Sequence, residues 1–254
     1  MTGFKDLFSE QADRYAQFRP SYPADLFRCL ASLVQERKFA WDCGCGNGQA
    51  AVELADHFER VIATDSSEKQ LENSLRHPSV VYRQTSAEDS GLEAKSVDLI
   101  VAAQSFHWFE WDRFYKEVKR VSKAGGVLAL WCYGLARISP EVDVVVLRFY
   151  RDILGSYWGK ERRLVEEGYR NVPFPFQEIK PPRFEMMAQW SLDQLVGYLG
   201  TWSALQAFIK ENSTNPLELV YPELKVAWGN GSERNVQWEL AMRVGTVHPS
   251  TGSG

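Results

Sequence analysis

The sequence predicts an α/β fold: a doubly wound, mostly parallel sheet that carries a helical cap. Three observations predict it. From residue 39 onward, short apolar runs alternate with segments of helical spacing. A glycine-rich turn stands between the first run and its helix. After Tyr133 the alternation gives way to mainly helical patterns. Strands that alternate with helices require right-handed crossovers, and these cover both faces of a parallel sheet.

The elements follow in order along the chain. Phe4, Leu7, Phe8, Ala12 and Tyr15 recur at helical spacing until Phe18-Arg19-Pro20-Ser21-Tyr22-Pro23, where each proline biases its predecessor away from helix. Pro23 suits the first turn of a second helix, with Leu26, Phe27, Leu30 and Val34 on its inner face. Phe39-Ala40-Trp41 reads as the first strand, residues 49–58 as a helix and 61–64 as the second strand. Ser67 and Gln70 have capping-box spacing and open a helix towards Arg76. Residues 80–82 and 97–103 are further strands; Phe114, Val118 and Val121 mark a helix, Gly125-Gly126 a turn, and 127–133 another strand. Beyond it, Ser139-Pro140-Glu141 starts a helix with Val142, Val145, Phe149 and Ile153 inside. A connection containing Pro173, Pro175, Pro181 and Pro182 leads to helices around 191–211 and 216–228, and 236–244 closes as a strand. The expected organisation is an N-terminal helical lid over 1–37, a cofactor-binding core over 38–133, a mainly helical substrate cap over 134–235, a closing strand over 236–245 and a tail over 246–254.

Composition excludes several functions. Hydrophobic residues make up 44% and charged residues 24% of the 254, a globular balance that argues against disorder. The formal net charge of −4 gives no general attraction for a phosphate backbone, and no continuous basic run supplies a local one, so nucleic acid is not expected as a partner. No stretch approaches the roughly 20 apolar residues of a membrane span, and Met1-Thr2-Gly3-Phe4-Lys5-Asp6 lacks the apolar character of a signal peptide. Cys43 and Cys45 are too close for an ordinary disulfide, while Cys29 and Cys132 stand alone, which fits a reducing, cytoplasmic setting. His57, His77, His107 and His248 have no metal-ligand spacing, so no metal is expected. Nothing in the pattern specifies an oligomeric state.

The turn after the first strand reads Trp41-Asp42-Cys43-Gly44-Cys45-Gly46-Asn47-Gly48. Glycines there let the backbone turn tightly and approach a ligand closely, with helix N–H groups pointing at it. Open α/β sheets bind ligands at this place, outside the carboxyl ends of their strands. A nicotinamide enzyme would carry its third glycine at position 49, which is Gln49; here that glycine comes one residue early, and Asp42 stands two residues before the first. Asp65 ends the second strand, where an acidic side chain can take both ribose hydroxyls of an adenosine cofactor.

The apolar-Asp-x-Gly-x-Gly-x-Gly pattern resembles the first motif of class I S-adenosylmethionine-dependent methyltransferases. Arg120-Val121-Ser122-Lys123-Ala124-Gly125-Gly126 resembles their Arg-Val-Leu-Lys-Pro-Gly-Gly turn, with serine and alanine in place of leucine and proline. The resemblance implies a Rossmann-like sheet with an antiparallel C-terminal strand, S-adenosylmethionine as cofactor, and methyl transfer to a small-molecule substrate. It implies cofactor contacts for Asp42, Gly44, Cys45, Gly46, Gly48, Asp65 and Ser66. It implies them also for Ala87 and Glu88, in a segment lying against the adenine, and for Gln104 after the fourth strand. For Glu88 an exposed loop carboxylate is the alternative. Within the superfamily the chain resembles trans-aconitate methyltransferases and their type 11 relatives. The likeness rests on Phe18-Arg19-Pro20-x-Tyr22-Pro23, His107-Trp108-Phe109, Thr201-Trp202-Ser203 and Trp238-Glu239-Leu240-Ala241-Met242-Arg243-Val244-Gly245. It leaves the acceptor open, a carboxylate being one candidate.

Methyl transfer is an in-line displacement at a sulfonium carbon, so the protein must align donor and acceptor and exclude water. An aromatic face attracts a sulfonium through its quadrupole, and Tyr15, Tyr22, Trp108 and Trp202 are the candidates for the substrate side. Arg19 has a fork that matches a carboxylate, of the cofactor's methionine or of an acidic substrate; the alternative is a surface arginine on the N-terminal helix. His107 is the candidate catalytic residue, carried by a short loop past Ala103 to the carboxyl edge of the sheet. As a base it would deprotonate a hydroxyl or amine, as a donor it would orient a carboxylate, and as a plain loop histidine it would do neither. Residues 4–23 are expected to close over the cofactor as a lid. A protein that binds the cofactor without turnover, as sensor or scaffold, is the alternative function; the intact motif over 42–48 with Asp65 favours activity.

Overall fold

The computed structural model of the chain describes residues 20–231 and 233–248. The helix expected over residues 4–15, and with it Tyr15, Arg19 and most of the expected lid, lies outside them. The described chain divides into two compact units. The larger comprises Tyr22–Gly134, Arg163–Phe184 and the chain from Leu240 onward, and the smaller is built mainly from Leu135–Arg162 and Glu185–Glu239.

In the larger unit, helix α1 (Ala24–Ser32) starts directly after Pro23 and buries Leu26, Phe27 and Leu30. Strands β1 (Phe39–Cys43), β2 (Arg60–Asp65), β3 (Val80–Gln84), β4 (Val97–Ala103) and β5 (Ser122–Tyr133) pair in parallel. β6 (Gln177–Ile179) and β8 (Arg234–Thr246) complete the order β3-β2-β1-β4-β5-β8-β6. β8 runs antiparallel to β5, from Val127 opposite Thr246 to Tyr133 opposite Leu240. The mostly parallel, Rossmann-like sheet with an antiparallel C-terminal strand is therefore present. β1 and β4 are near-continuous apolar runs because helices cover both faces of a parallel sheet.

The connecting helices are shorter than the sequence pattern predicts. Helix α2 (Gln49–Ala55) ends where His57 and Phe58 both turn back to the Leu54 carbonyl, which carries Phe58 into the core. Helix α3 (Glu68–Glu72) ends as the Asn73 amide donates to the Lys69 carbonyl and competes with the helical ladder. Helix α4 (Trp111–Val121) buries Phe114, Val118 and Val121 as expected. The Gly125-Gly126 turn is a correction: both residues lie inside β5, which already starts at Ser122. Gly125 takes φ +74°, and the register against β4 shifts between Val97 and Leu99, so the glycines form an irregularity within a strand rather than a turn before it.

In the smaller unit, Ser139 caps helix α5 (Pro140–Arg148) by accepting from the Val142 amide, and the helix widens into a π-helical turn over Phe149–Ile153. Helix α6 (Arg162–Glu166) starts at the last residue of this unit's first segment. Strand β7 (Glu185–Trp190) pairs antiparallel with residues 234–239 of β8. Ser191 and Gln194 form a reciprocal capping box on helix α7 (Leu192–Gly200), followed by α8 (Ser203–Asn212) and α9 (Leu217–Trp228). The short strands β6 and β7 fall where the sequence reading sees only prolines and helices. Among the described residues no helix is long and apolar enough to cross a membrane.

The strand starts are pinned by one buried carboxylate. Asp98 accepts from the amides of Lys38 (3.2 Å) and Phe39 (2.8 Å) and from Lys123 Nζ (2.7 Å), joining β1, β4 and β5. Asp98→Ala would strand both amides and leave Lys123 with Glu36 as its remaining acid, at a cost of about 3 kcal/mol of unfolding free energy. Urea denaturation checks this, and Asp98→Asn should lose less because its carbonyl still accepts from the amides.

Candidate functional site

The loop between β1 and α2 is a chain of left-handed turns, with Gly44, Gly46 and Gly48 at φ +65°, +55° and +85°. A side chain at Gly48 would start 2.2 Å from Tyr82 Oη, so glycine is required there by a neighbour as well as by φ. At Gly46 the nearest atom to such a Cβ is 3.8 Å away; φ alone fixes glycine, and the face above it is open for close approach of a ligand. Cys45 is buried between them, its amide donating to the Thr64 carbonyl, and burial holds its thiol well above the usual range, so it is no nucleophile.

Two acidic side chains meet this loop. Asp65 accepts from the Gly46 amide on Oδ2 and the Ser67 amide on Oδ1, each at 2.8 Å. Burial raises its pKa, partly offset by those amides. Asp42 is fully buried, and neither of its carboxylate oxygens has a hydrogen-bond partner among the described residues. Desolvation, then the neighbouring Asp65, push its pKa up to about 8; the Ala51 amide, close by but outside hydrogen-bond geometry, offsets this in part. A buried carboxylate without a donor fits a ligand that brings positive charge or hydroxyl donors. An adenosine-bearing cation meets that requirement.

Ser66 follows, its carbonyl accepting from Gln84 Nε2 at 3.1 Å. Ala87 is buried, and Glu88 Oε1 accepts from the Glu110 amide at 2.9 Å just before α4, so Glu88 has a structural partner of its own. The loop carrying both is held by buried Glu117, which accepts from Ser90 and from Arg120. Gln104 follows β4 at φ +57°, and its side chain bridges the Tyr133 backbone, donating to O at 3.1 Å and accepting from N at 2.9 Å.

His107 sits in a single 3₁₀ turn, Phe106–Trp108. Its Nδ1 lies 2.9 Å from Tyr169 Oη, a contact between residues 62 apart in sequence. Tyr169 is fully buried, its phenol held well above the usual range chiefly by desolvation, and its backbone takes φ 59° directly after Gly168 at φ 60°. Tyr169 escaped the sequence reading because no motif surrounds it; the Gly168-Tyr169 pair is the only local hint. The Trp108 ring centroid lies 5.0 Å from that of His107. Tyr22 packs edge-on against Trp131 at 5.6 Å and near Tyr133 at 6.5 Å, by the carboxyl end of β5. The larger unit thus contains the glycine loop, Asp42, Asp65, Ser66, Ala87, Glu88, Gln104, His107, Trp108 and Tyr22. Trp202 belongs to the smaller unit, where it is 5% exposed and packs on Phe149 and Trp158. Among the described residues no group of His, Cys, Asp or Glu is arranged to hold a metal ion.

Residues 41–130 match the model of a family described as a methyltransferase domain. A protein of Dictyostelium discoideum named as a methyltransferase is 35% identical over 228 residues, covering 88% of this chain and 85% of that one. A Saccharomyces cerevisiae protein named as an S-adenosylmethionine-dependent methyltransferase is 24% identical, covering 81% of this chain and 83% of that one. The solved structure of a protein described as a type II methyltransferase from Anaeromyxobacter dehalogenans is 47% identical, covers 91% of this chain and 99% of that one, and superposes with a TM-score of 0.85.

The Asp42 geometry makes a pH prediction for the protein without cofactor. The native state holds a proton on Asp42 that the unfolded state releases in the ordinary carboxylate range, so stability falls as pH rises from that range towards about 8. This group contributes about 1.4 kcal/mol per pH unit within that window. Asp42→Asn removes the contribution, so urea unfolding between pH 5 and 8.5 should give the variant a stability advantage that grows with pH. Parallel curves would mean that Asp42 titrates normally.

Proposed function

We infer the reaction from the family: the chain belongs to the S-adenosylmethionine-dependent methyltransferases, and S-adenosylmethionine is its cofactor. When bound, the cofactor supplies an electrophilic methyl group on a sulfonium, and the protein's task is to bind, align and exclude water. Residues 42–48 with Asp65 and Ser66 would hold it. The open face of Gly46 allows close approach, and Asp42 lacks any described partner of its own. Asp65 Oδ2 accepts from the Gly46 amide and Oδ1 from the Ser67 amide, and each oxygen has a further lone pair for a ribose hydroxyl. Ala87 and Glu88 would lie against the adenine and Gln104 near the methionine part; Arg19, the remaining candidate for that carboxylate, lies outside the described residues.

The acceptor we propose is a small molecule methylated on a carboxylate, in line with the likeness to trans-aconitate methyltransferases. The His107–Tyr169 contact carries this reading. A buried phenol that keeps its proton can donate to Nδ1, and we assign it that role; an imidazole accepting at Nδ1 carries its own proton at Nε2. In that tautomer His107 donates a hydrogen bond. This suits the orienting of a carboxylate, whose methylation needs no base. Trp108 and Tyr22, both in the larger unit, would provide aromatic walls. A cytoplasmic setting is supported by Cys29, Cys43, Cys45 and Cys132, none of which forms a disulfide among the described residues.

Titration calorimetry tests the cofactor: S-adenosylmethionine and its demethylated product should bind and NAD should not, and Asp65→Ala should weaken binding by about 1–3 kcal/mol. Tight NAD binding would sink the assignment.

A screen of carboxylic acids, alcohols and amines with labelled methyl donor tests the acceptor. Transfer to none of them, with cofactor binding intact, would favour a sensor. With the true acceptor, His107→Gln should raise KM about ten-fold and leave kcat within about three-fold, and Tyr169→Phe should act in the same direction. A large fall in kcat at unchanged KM would make His107 a base instead.

A further inference from the structure

Arg162, at the start of α6, is half-buried and laid against two aromatic rings, its guanidinium carbon 5.1 Å from the Tyr150 centroid and 4.8 Å from that of Trp158. Its Nε donates to Tyr150 Oη at 2.6 Å. The platform beneath it is rigid. Trp158 Nε1 donates to the Tyr150 carbonyl at 3.0 Å, and buried Trp202 packs against both rings at 5.7 and 5.6 Å. Tyr150 lies in the π-helical turn that follows α5, a local widening that recurs at functional sites. All four residues belong to the smaller unit.

What Arg162 lacks is an acid. Arg120, Arg148, Arg163 and Arg243 each hold a glutamate, whereas Arg162 makes no ion pair with any described residue, and its two terminal amino groups make no hydrogen bond to one. Ring faces attract a guanidinium, but they do not use its in-plane donors. A fork fixed at Nε, stacked on aromatics and unpaired at its Nη edge is a preorganised receptor for a planar or tetrahedral oxyanion. We propose that Arg162 is an anion-recognition residue of the smaller unit, taking a carboxylate or phosphate group of a small-molecule ligand. This goes beyond the methyltransferase assignment and does not depend on the role of His107.

The indole N–H signal of Trp158, identified by comparison with Trp158→Phe, reports the site in ¹⁵N NMR spectra of the full chain. Benzoate, citrate or inorganic phosphate should shift it saturably in wild type, benzamide should not, and comparison of the three anions separates carboxylate from phosphate preference. Arg162→Gln should weaken the response about ten-fold or abolish it, while calorimetry with S-adenosylhomocysteine, expected to be unchanged, certifies the variant's fold and tests the cofactor reading separately. Should Arg162→Gln fold poorly, Tyr150→Phe keeps the charge, removes the Nε acceptor and should weaken the anion response a few-fold. No wild-type response to any of the three anions, or an undiminished response in a folded Arg162→Gln, would overturn the proposal.

Discussion

Asp65 ties together the two loops on which the ligand end of the sheet depends. Its Oδ2 holds the Gly46 amide and its Oδ1 the Ser67 amide, so the glycine turn after β1 and the start of α3 after β2 are set by one carboxylate. The left-handed backbone at Gly46 is what turns that amide towards Asp65, which makes loop shape and loop electrostatics a single constraint. Asp42 stands next to this tie with no described partner. Two carboxylates this close and this buried cannot both stay ionised without compensation, and Asp42 takes the proton. A cationic ligand can supply the same compensation in place of the proton. In the proposed cofactor site this leaves a pair of buried carboxylates short of one compensating positive charge.

This part of the molecule was legible in the sequence because its determinants are local. Asp42 to Gly48 is one contiguous run, and Asp65 reaches it through the parallel pairing of Cys43 with Thr64, which any βαβ unit with this spacing produces. β1 and β4 were legible because strands covered on both faces must be almost wholly apolar. What was not legible depends on contacts across the chain. Tyr169 meets His107 over 62 residues with no motif to announce it. β6 pairs only three residues and owes its existence to β8. Gly125-Gly126 reads as a turn because two glycines rarely continue a strand; β5 pairs with β4 on either side of them, and the glycines themselves bond to the backbone of His248 and Val247 just beyond β8.

Aromatic residues illustrate the same limit differently. Trp202 and Tyr22 both looked like wall material for a substrate. Trp202 is packed among Phe149, Tyr150, Trp158 and Tyr198, where it stiffens the platform under Arg162. Tyr22 lies on Trp131 and Tyr133, at the edge of the sheet where the strands end. Ring chemistry suits core and binding surface equally, so composition alone does not divide them. The division comes from what each ring touches. Arg162 emerges by that criterion and not by any motif, since it alone in its cluster carries a charge.

The turn that carries His107 is bounded by two residues in left-handed backbone, Gln104 and Tyr169. For residues other than glycine such conformations cost about 1–3 kcal/mol each and persist only where surrounding contacts over-determine them. Here those contacts can be named. Gln104 spends its side-chain amide on both backbone groups of Tyr133. Tyr169 has its carbonyl held by Arg243 and its hydroxyl against His107. Ser105, between them, donates to the Cys43 carbonyl at 2.9 Å and so fixes the turn to the end of β1. The path of the backbone through residues 104–108 is thus determined by β1, β5 and the Gly168-Tyr169 corner, with the His107 ring as only one of its anchors. Substitution at position 107 should therefore leave the path of the loop unchanged, so that an effect on activity there reports the side chain itself.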